Sequence, residues 1–142
     1  MNTYVAGLMF DLVTKEVALI RKNKPVWQAG KLNAIGGKIE AGETPHAAMV
    51  REFREETDCA TVEEQWLPCS KLEGDDWSVQ FFVTIGSLHE LRSPEAEKVE
   101  IHPFEDAIKR ADLVDGLFPI LGEALARLAT AMLKASQLEE SI

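Results

Sequence analysis

Three glutamates close together on one predicted helix are the residues of this sequence best suited to chemistry. Thr44 is a favourable N-cap and Pro45 suits the first helical position, so a helix is predicted to begin there. At about 100° per residue, Glu52, Glu55 and Glu56 project together from one face. Three neighbouring carboxylates repel one another, so a divalent cation is their natural partner. Oxygen ligands favour Mg²⁺, with Mn²⁺ as a substitute, over zinc.

The same helix also carries an apolar stripe that would bury it against a core. Met49, Val50 and Phe53 recur at helical spacing beside the acidic face. A solvated acidic face with ion pairs one turn apart is the simpler interpretation of the glutamates. It does not explain the glycine-rich turn predicted at Gly36 and Gly37, just ahead of the helix.

The segment around this helix resembles the Nudix box. That pattern is a glycine, five residues, Glu, seven residues, Arg-Glu, an apolar residue, any residue, Glu-Glu, any residue, Gly and an apolar residue. The matching residues are Gly37, Glu43, Arg51, Glu52, Phe53, Glu55, Glu56 and Cys59. The last glycine is replaced by Asp58, one of the few residues that tolerate the left-handed conformation that ends a helix. We expect a modest stability cost and intact chemistry. The chain is thus similar to the Nudix hydrolase family, specifically its MutT-like type acting on oxidised purine nucleoside triphosphates.

The resemblance implies roles for the residues of the box. In Nudix enzymes this helix holds divalent ions against a diphosphate while water attacks a phosphorus atom. The implied metal ligands are Glu52, Glu55, Glu56, the main-chain carbonyl of Gly37 (or Gly36), and Glu97 from a loop, with Glu95 in reserve. The three box glutamates are also the implied catalytic residues, since one of them, or a loop glutamate, accepts the proton of the water. For Glu97 and Glu95 a solvated loop acid is an equal alternative. Glu43 and Arg51 have structural roles, with Arg51 pairing with a box carboxylate and fixing its rotamer.

Three residues are predicted to bind the substrate. Residues 28–37 resemble the stretch before the box in enzymes that hydrolyse oxidised purine nucleotides, and Asn33 offers the donor and acceptor that reading a base requires. Lys38 either meets a phosphate, steers a glutamate or is simply solvated. Asp115 lies in a segment loosely similar to a second base-contacting segment, or in a turn before the last helix. Trp27 either stacks on a base or covers the core.

Composition limits the class of protein. At 142 residues and 15.8 kDa, residues 1–142 are expected to form one domain with a proper core. The net charge of -9 argues against binding to long nucleic acids, but it is compatible with a small nucleotide accompanied by Mg²⁺. Cys59 and Cys69 are expected to be buried thiols rather than a disulfide. With no leader-like N-terminus and no long apolar run, we expect a cytoplasmic monomer or homodimer without a membrane partner.

The rest of the chain predicts an α/β fold. Predicted strands are Tyr4–Leu12, Glu16–Arg21, Leu32–Ile35, Val62–Leu72, Trp77–Ile85 and Val99–His102. Besides the box helix, helices are predicted at Phe104–Arg110 and from near Pro119, the latter with a tail that frays from Gln137. This order indicates a mixed β-sheet flanked by helices, and the resemblance independently implies a Nudix-type α/β/α sandwich.

The sequence therefore predicts a Mg²⁺-dependent Nudix pyrophosphohydrolase. It would convert a nucleoside triphosphate, with oxidised or non-standard purine dNTPs such as 8-oxo-dGTP leading, to the monophosphate and pyrophosphate. The alternative substrate is a nucleoside diphosphate linked to another moiety, such as ADP-ribose or a dinucleotide. A non-catalytic, nucleotide-sensing Nudix domain is disfavoured because no box glutamate is lost.

Overall fold

The computed structural model of the protein describes residues 1–140, and a mixed seven-stranded β-sheet runs through its centre. The strands are β1 (Asn2–Asp11), β2 (Glu16–Arg21), β3 (Leu32–Asn33), β4 (Ile35–Lys38), β5 (Leu67–Glu73), β6 (Trp77–Ile85) and β7 (Lys98–Pro103). The helices are α1 (Pro45–Thr57), α2 (Phe104–Ala107) and α3 (Leu117–Glu140). Short 3₁₀ turns occur at Val26–Gln28 and Glu63–Gln65.

The sheet opens between its first two strands. The parallel strand β6 covers one edge of β1, and β7 covers one edge of β2 along its whole length. The other edges of β1 and β2 face each other, and the two strands pair directly at one end only, where Met9 to Asp11 meet Glu16 to Ala18. Further along, β3 pairs with β2 and β4 pairs with β1, so these two short strands fill the gap. The segment that leads into α1 is therefore held between the two strands.

Both faces of the sheet are buried. Alternate residues of β1 point to opposite sides, with Leu8 and Phe10 in one cluster and Val5 and Met9 in the other. The first cluster includes Leu117, Leu121, Ala124 and Leu128 of α3, and the second includes Met49 and Phe53 of α1 with Trp66. Burial on both faces explains why β1 is apolar almost throughout. The predicted α/β/α sandwich with a mixed sheet is confirmed.

The two glycines ahead of α1 lie in a strand, so the predicted glycine-rich turn is wrong. Gly36 pairs with Ala6 of β1, and Gly37 pairs with Val5. A Cβ at Gly36 would lie 1.9 Å from the carbonyl oxygen of Val5. Only glycine therefore lets β4 approach β1 this closely. The predicted strand Leu32–Ile35 is accordingly two short strands.

Two other elements are shorter than predicted. Strand β5 begins only at Leu67, because the preceding residues form a 3₁₀ turn in which the Gln65 side chain accepts a hydrogen bond from Val62 N at 2.9 Å. The helix predicted at Phe104–Arg110 ends at Ala107, and hydrogen-bonded turns continue to Arg110. A side-chain hydrogen bond thus accompanies the late start of β5, and a change to tighter backbone turns ends α2.

The last helix differs from its prediction at both ends. It begins at Leu117, two residues before Pro119, since proline is tolerated in the first turn of a helix. Its helical residues extend to Glu140, past Gln137 where the tail was predicted to begin, and Ser141 and Ile142 lie outside the described residues.

Two compositional expectations can be compared with the structure. Cys59 and Cys69 are free thiols, as predicted, but both are half-buried rather than fully buried. Within residues 1–140, every helix is too short or too polar to cross a bilayer.

Candidate active site

The N- and C-terminal caps of α1 fix the register of its glutamates. Thr44 Oγ1 accepts a hydrogen bond from Ala47 N at 3.1 Å, and Pro45 is the first helical residue, as predicted. Asp58 ends the helix with φ 59°, which confirms that aspartate takes the left-handed position of the missing glycine. Met49 and Phe53 are fully buried and anchor the opposite face.

Arg51 connects the acidic residues around α1. Its Nε and Nη2 donate to the two carboxylate oxygens of Glu43 at 2.7 and 2.8 Å, the paired geometry that a guanidinium favours. Nη1 donates to Glu52 Oε1 at 2.8 Å and lies 3.3 Å from Glu55 Oε2, and Nη2 donates to the Lys38 carbonyl at 2.9 Å. The hydrogen bonds from Arg51 hold the pKa of Glu43 at about 2. One arginine thus links the loop, the strand β4 and the helix.

Glu52 is buried against the backbone of β4. Glu52 is only 9% exposed, and a Cβ at Gly37 would lie 2.5 Å from the Glu52 carboxylate. Burial raises the pKa of Glu52, and the hydrogen bond from Arg51 opposes that rise. The structure therefore brings Gly37, whose carbonyl is a predicted ligand, against the first box glutamate.

Glu56 carries the one buried side-chain oxygen or nitrogen in residues 1–140 that has no hydrogen-bond partner, its Oε2. Burial, with the negative charges of Glu52 and Glu97, raises the pKa of Glu56 to about 7, and the nearby charge of Lys22 lowers it. A buried carboxylate oxygen without a partner is costly when the group is ionised, so a cation or a proton at Glu56 Oε2 would stabilise the folded protein.

Glu97, the predicted loop ligand, lies near Glu56 but is bound to a lysine. Its Oε1 accepts from Lys22 Nζ at 2.8 Å, and its Oε2 accepts from Asn23 N at 2.6 Å. Burial opposes ionisation, but these hydrogen bonds outweigh it and lower the pKa of Glu97. Glu95, the reserve acid, is exposed. Lys22 was missed by sequence reasoning, because no local pattern links residues 75 positions apart.

The predicted metal ligands are not all arranged around one point that a hard cation could occupy. Nowhere in residues 1–140 do three Cys, His, Asp or Glu side chains already gather into a metal-binding group. Glu55 turns toward Arg51 and Glu97 toward Lys22. Glu52 and Glu56 nonetheless supply carboxylate oxygens, one of them buried without a partner, and Gly37 brings a main-chain strand against Glu52. This oxygen donor set suits Mg²⁺ or Mn²⁺.

A cavity of about 560 Å³ is lined by Gly36 and Gly37 of β4 and, among others, by Leu117 and Ile120 of α3. Asn33 lies in its wall, where Nδ2 donates to Gln28 Oε1 at 3.0 Å and Oδ1 accepts from Ala34 N at 2.8 Å. These bonds fix the orientation of the amide. One N–H and one lone pair of Asn33 are left for a ligand.

The other predicted substrate contacts divide between the cavity and the surface. Asp115 and Trp27 line the cavity, and Trp27 is 62% exposed. Lys38 is exposed at the end of β4 and is not part of the cavity lining. Trp77 also lines the cavity and was missed, because its position at the start of a strand gave no reason to look beyond packing.

The mixed sheet, with a carboxylate-bearing helix on one face and a cavity on the other, is the Nudix fold. The NUDIX domain family matches residues 2–123 of this chain, so the chain belongs to the Nudix hydrolase family and that prediction is confirmed.

Individual relatives agree with this assignment. The chain is 49% identical over 41 residues to the 8-oxo-dGTP diphosphatase of Escherichia coli (strain K12). That match covers 29% of this chain and about a third (32%) of the relative's length. A structure from a study of MutT from Aliivibrio salmonicida and Vibrio cholerae superposes with a TM-score of 0.74 and 22% identity, over 89% of this chain and 98% of that one. The NUDIX domain of Shewanella oneidensis NrtR, complexed with ADP ribose, gives a TM-score of 0.74 and 16% identity, over 89% and 87%. At these identities the two structures show the shared fold.

Proposed function

We propose that the chain is a Mg²⁺-dependent pyrophosphohydrolase that cleaves a nucleoside triphosphate to the monophosphate and pyrophosphate. The unpartnered, buried Oε2 of Glu56, one helical turn from Glu52, is the observation that carries this proposal, because the Glu52 carboxylate lies against Gly37, which lines the cavity. It supports a cation where the phosphates of a bound nucleotide would reach the helix.

Glu52 and Glu56 would hold the ion, together with the main-chain carbonyl of Gly37. Bound Mg²⁺ would neutralise the phosphate charge and acidify the attacking water. Arg51 holds the Glu52 carboxylate in place through its hydrogen bond at 2.8 Å. Glu55 is exposed and paired only at 3.3 Å, so it can leave Arg51 at little cost to join the metal or to accept the proton of the water.

Asn33 and Asp115 support a purine substrate. Asn33 keeps one donor and one acceptor toward the cavity, and the Asp115 carboxylate supplies acceptors only. A base edge with adjacent N–H groups and a carbonyl, such as that of guanine or its 8-oxo form, matches this set. The partial match to an 8-oxo-dGTP diphosphatase agrees with this choice.

The test is a Mg²⁺ assay over a panel of nucleotides with the products resolved by ion-exchange chromatography. The panel contains 8-oxo-dGTP, the four common dNTPs, ADP-ribose and a diadenosine polyphosphate. We expect 8-oxo-dGTP to have the highest kcat/KM and to yield 8-oxo-dGMP and pyrophosphate. A clear preference for ADP-ribose, yielding AMP, would replace the triphosphate proposal with its alternative.

The same assay tests the glutamates. Glu55→Gln and Glu56→Gln each keep the shape of the side chain but remove its charge, so each should lower kcat by about 10²-fold or more. Glu64→Gln, at an exposed acid outside the helix, is the matched control and should leave kcat unchanged. Near-wild-type turnover in both box variants would refute the assignment.

A further inference from the structure

Arg21, the last residue of β2, binds three residues that are distant from one another in the sequence: Glu100, Asp112 and Gly30. Its Nε and Nη2 donate to the two carboxylate oxygens of Glu100 at 2.7 and 2.8 Å. Its Nη1 donates to Asp112 Oδ2 at 2.7 Å and to the carbonyl of Gly30 at 3.0 Å. Arg110 binds Asp112 from the other side, at 2.7 and 2.9 Å. All these side chains are about one-quarter to one-third exposed, so solvent screens the contacts only partly.

Two of these partners, Gly30 and Asp112, do not line the cavity themselves but belong to two chain segments that do, which we call its two walls. Gly30 ends the loop 22–31, which carries Trp27 and Gln28 into the cavity lining. Asp112 begins the segment that carries Asp115 and Gly116 into it. Arg21 does not itself line the cavity, yet one of its nitrogens, Nη1, binds both walls.

The contacts of Arg21 Nη1 join two segments that backbone hydrogen bonds do not join to each other. Leu32 N donates to the Asp112 carbonyl at 2.8 Å, and Val114 N donates to the Leu32 carbonyl at 2.9 Å. These bonds fasten residues 112–114 to β3. The loop that carries Trp27 is closed separately at its base, where Gly30 N donates to the Lys22 carbonyl and Lys22 N donates to the Lys31 carbonyl, each at 2.8 Å. Among the described side chains, the guanidinium of Arg21 is the one that joins that loop to Asp112 directly.

We propose that Arg21 is a positioning residue that sets the distance between the two walls of the nucleotide-binding cavity, and so determines how tightly the base is held. The inference rests on the proposed function, because it assigns the base to this cavity. Arg21 acts through Asp112 and Gly30 and touches no reacting atom. The metal-binding glutamates lie on α1, on the other face of the sheet, so the phosphate chemistry should be left intact.

Glu100 and Asp112 provide a matched pair of variants. Each is a half-buried carboxylate that accepts a hydrogen bond of 2.7 Å from Arg21, but only Asp112 belongs to a cavity wall. Asp112→Asn should raise KM for 8-oxo-dGTP on the order of 10-fold with kcat nearly unchanged. Glu100→Gln should lower the melting temperature to a similar degree while leaving KM close to that of the wild type. Arg21→Lys has one nitrogen in place of the three that bind Glu100, Asp112 and Gly30, so it cannot keep all three partners and should behave like Asp112→Asn.

The experiment combines steady-state kinetics on 8-oxo-dGTP with hydrogen exchange of residues 113–117 in the wild type and the three variants. A KM rise that is much larger in Asp112→Asn than in Glu100→Gln supports the proposal. Equal KM values in these two variants, whether raised or unchanged, overturn it. If the wild type hydrolyses no nucleotide, the proposed function fails on its own. Hydrogen exchange then decides about Arg21, because faster exchange in Asp112→Asn alone supports its role and equal exchange in both overturns it.

Discussion

Gly37 of β4 lies so close to the Glu52 carboxylate of α1 that a Cβ at position 37 would sit 2.5 Å from Glu52 Oε1 and Oε2. The contact joins the two elements that the candidate metal site requires. Because β4 is held by β1 through the pairs Gly36–Ala6 and Gly37–Val5, the position of this contact is set by the central sheet. The glycine is thus explained by closeness to a carboxylate, since Gly37 is not among the residues with positive φ.

Gly37→Ala should therefore damage catalysis more than folding. The added methyl group meets the end of a flexible side chain, so the fold can adjust by moving Glu52. That movement takes Glu52 from its bond to Arg51 and from its proposed metal-binding position, and kcat should fall by about 10²-fold. Gly122→Ala in α3 is the control, because its Cβ would meet nothing within 4 Å. The control should keep full activity and gain slightly in melting temperature. Equal activity in both variants would contradict the role of Gly37.

Cation binding should be visible in stability as well as in turnover. A cation that binds only the folded protein raises its melting temperature as the concentration increases. Millimolar Mg²⁺ or Mn²⁺ should stabilise the wild type measurably, and the Glu55→Gln, Glu56→Gln double variant much less. Differential scanning fluorimetry with and without EDTA measures both. An equal shift in the two proteins would sink the proposed site.

The raised pKa of Glu56 predicts a pH dependence in the metal-free protein. Glu56 titrates near its ordinary value of 4.5 in the unfolded chain and near 7 in the folded one. Between these values the folded state binds more protons, so stability decreases as pH rises through this window. The contribution of Glu56 is fully present below pH 4.5 and is lost as pH rises through about 7.

The measurement is the difference in unfolding free energy between the wild type and Glu56→Gln, in EDTA, from pH 4.5 to 8. The wild type should lose stability relative to the variant as pH rises. Mg²⁺ should remove much of the difference above pH 7, because it favours the ionised carboxylate. Glu43, whose pKa of about 2 lies below its ordinary 4.5, has the opposite sign, and its contribution is lost only as pH falls below 4.5. A difference between wild type and variant that does not vary with pH would contradict the assignment of the raised pKa to Glu56.

The local features of the site could be predicted from the sequence because their causes are local. The Thr44 cap, the buried stripe at Met49 and Phe53, and the left-handed Asp58 each depend on residues within one or two turns. The spacing of the box residues also predicted the Nudix family. The two glycines led to the wrong prediction of a turn. Gly36 lacks a side chain because it pairs closely with β1, where a Cβ would clash.

Contacts between distant parts of the chain could not be predicted in this way. Lys22 and Glu97 are 75 positions apart, and Arg21 and Asp112 are 91 positions apart. Their pairing depends on β7 lying along β2 and on the 112–114 segment joining β3, which no periodicity reveals. For this reason the sequence identified Glu97 as a ligand candidate without showing that a lysine holds it.

Asn33→Ala tests whether the cavity reads the base. If the free N–H and lone pair of Asn33 bind the base edge, the variant should lose about 1–3 kcal/mol, or roughly 5- to 150-fold, in kcat/KM for the preferred nucleotide. Turnover of a poorly matched nucleotide should change little, because the proposed metal site and the phosphates are untouched.

The competing role of Asn33 is structural, since its amide also binds Gln28 and the backbone of Ala34. Loss of those bonds would loosen the strand that leads to Gly37, lower the melting temperature and slow every substrate by a similar factor. Gln28→Ala removes the bond between the two side chains while leaving the Asn33 amide in place, so it separates the two roles. Base reading predicts that Gln28→Ala keeps most of the discrimination between 8-oxo-dGTP and dGTP and that Asn33→Ala loses it. A uniform loss on both nucleotides in Asn33→Ala would end the base-reading role.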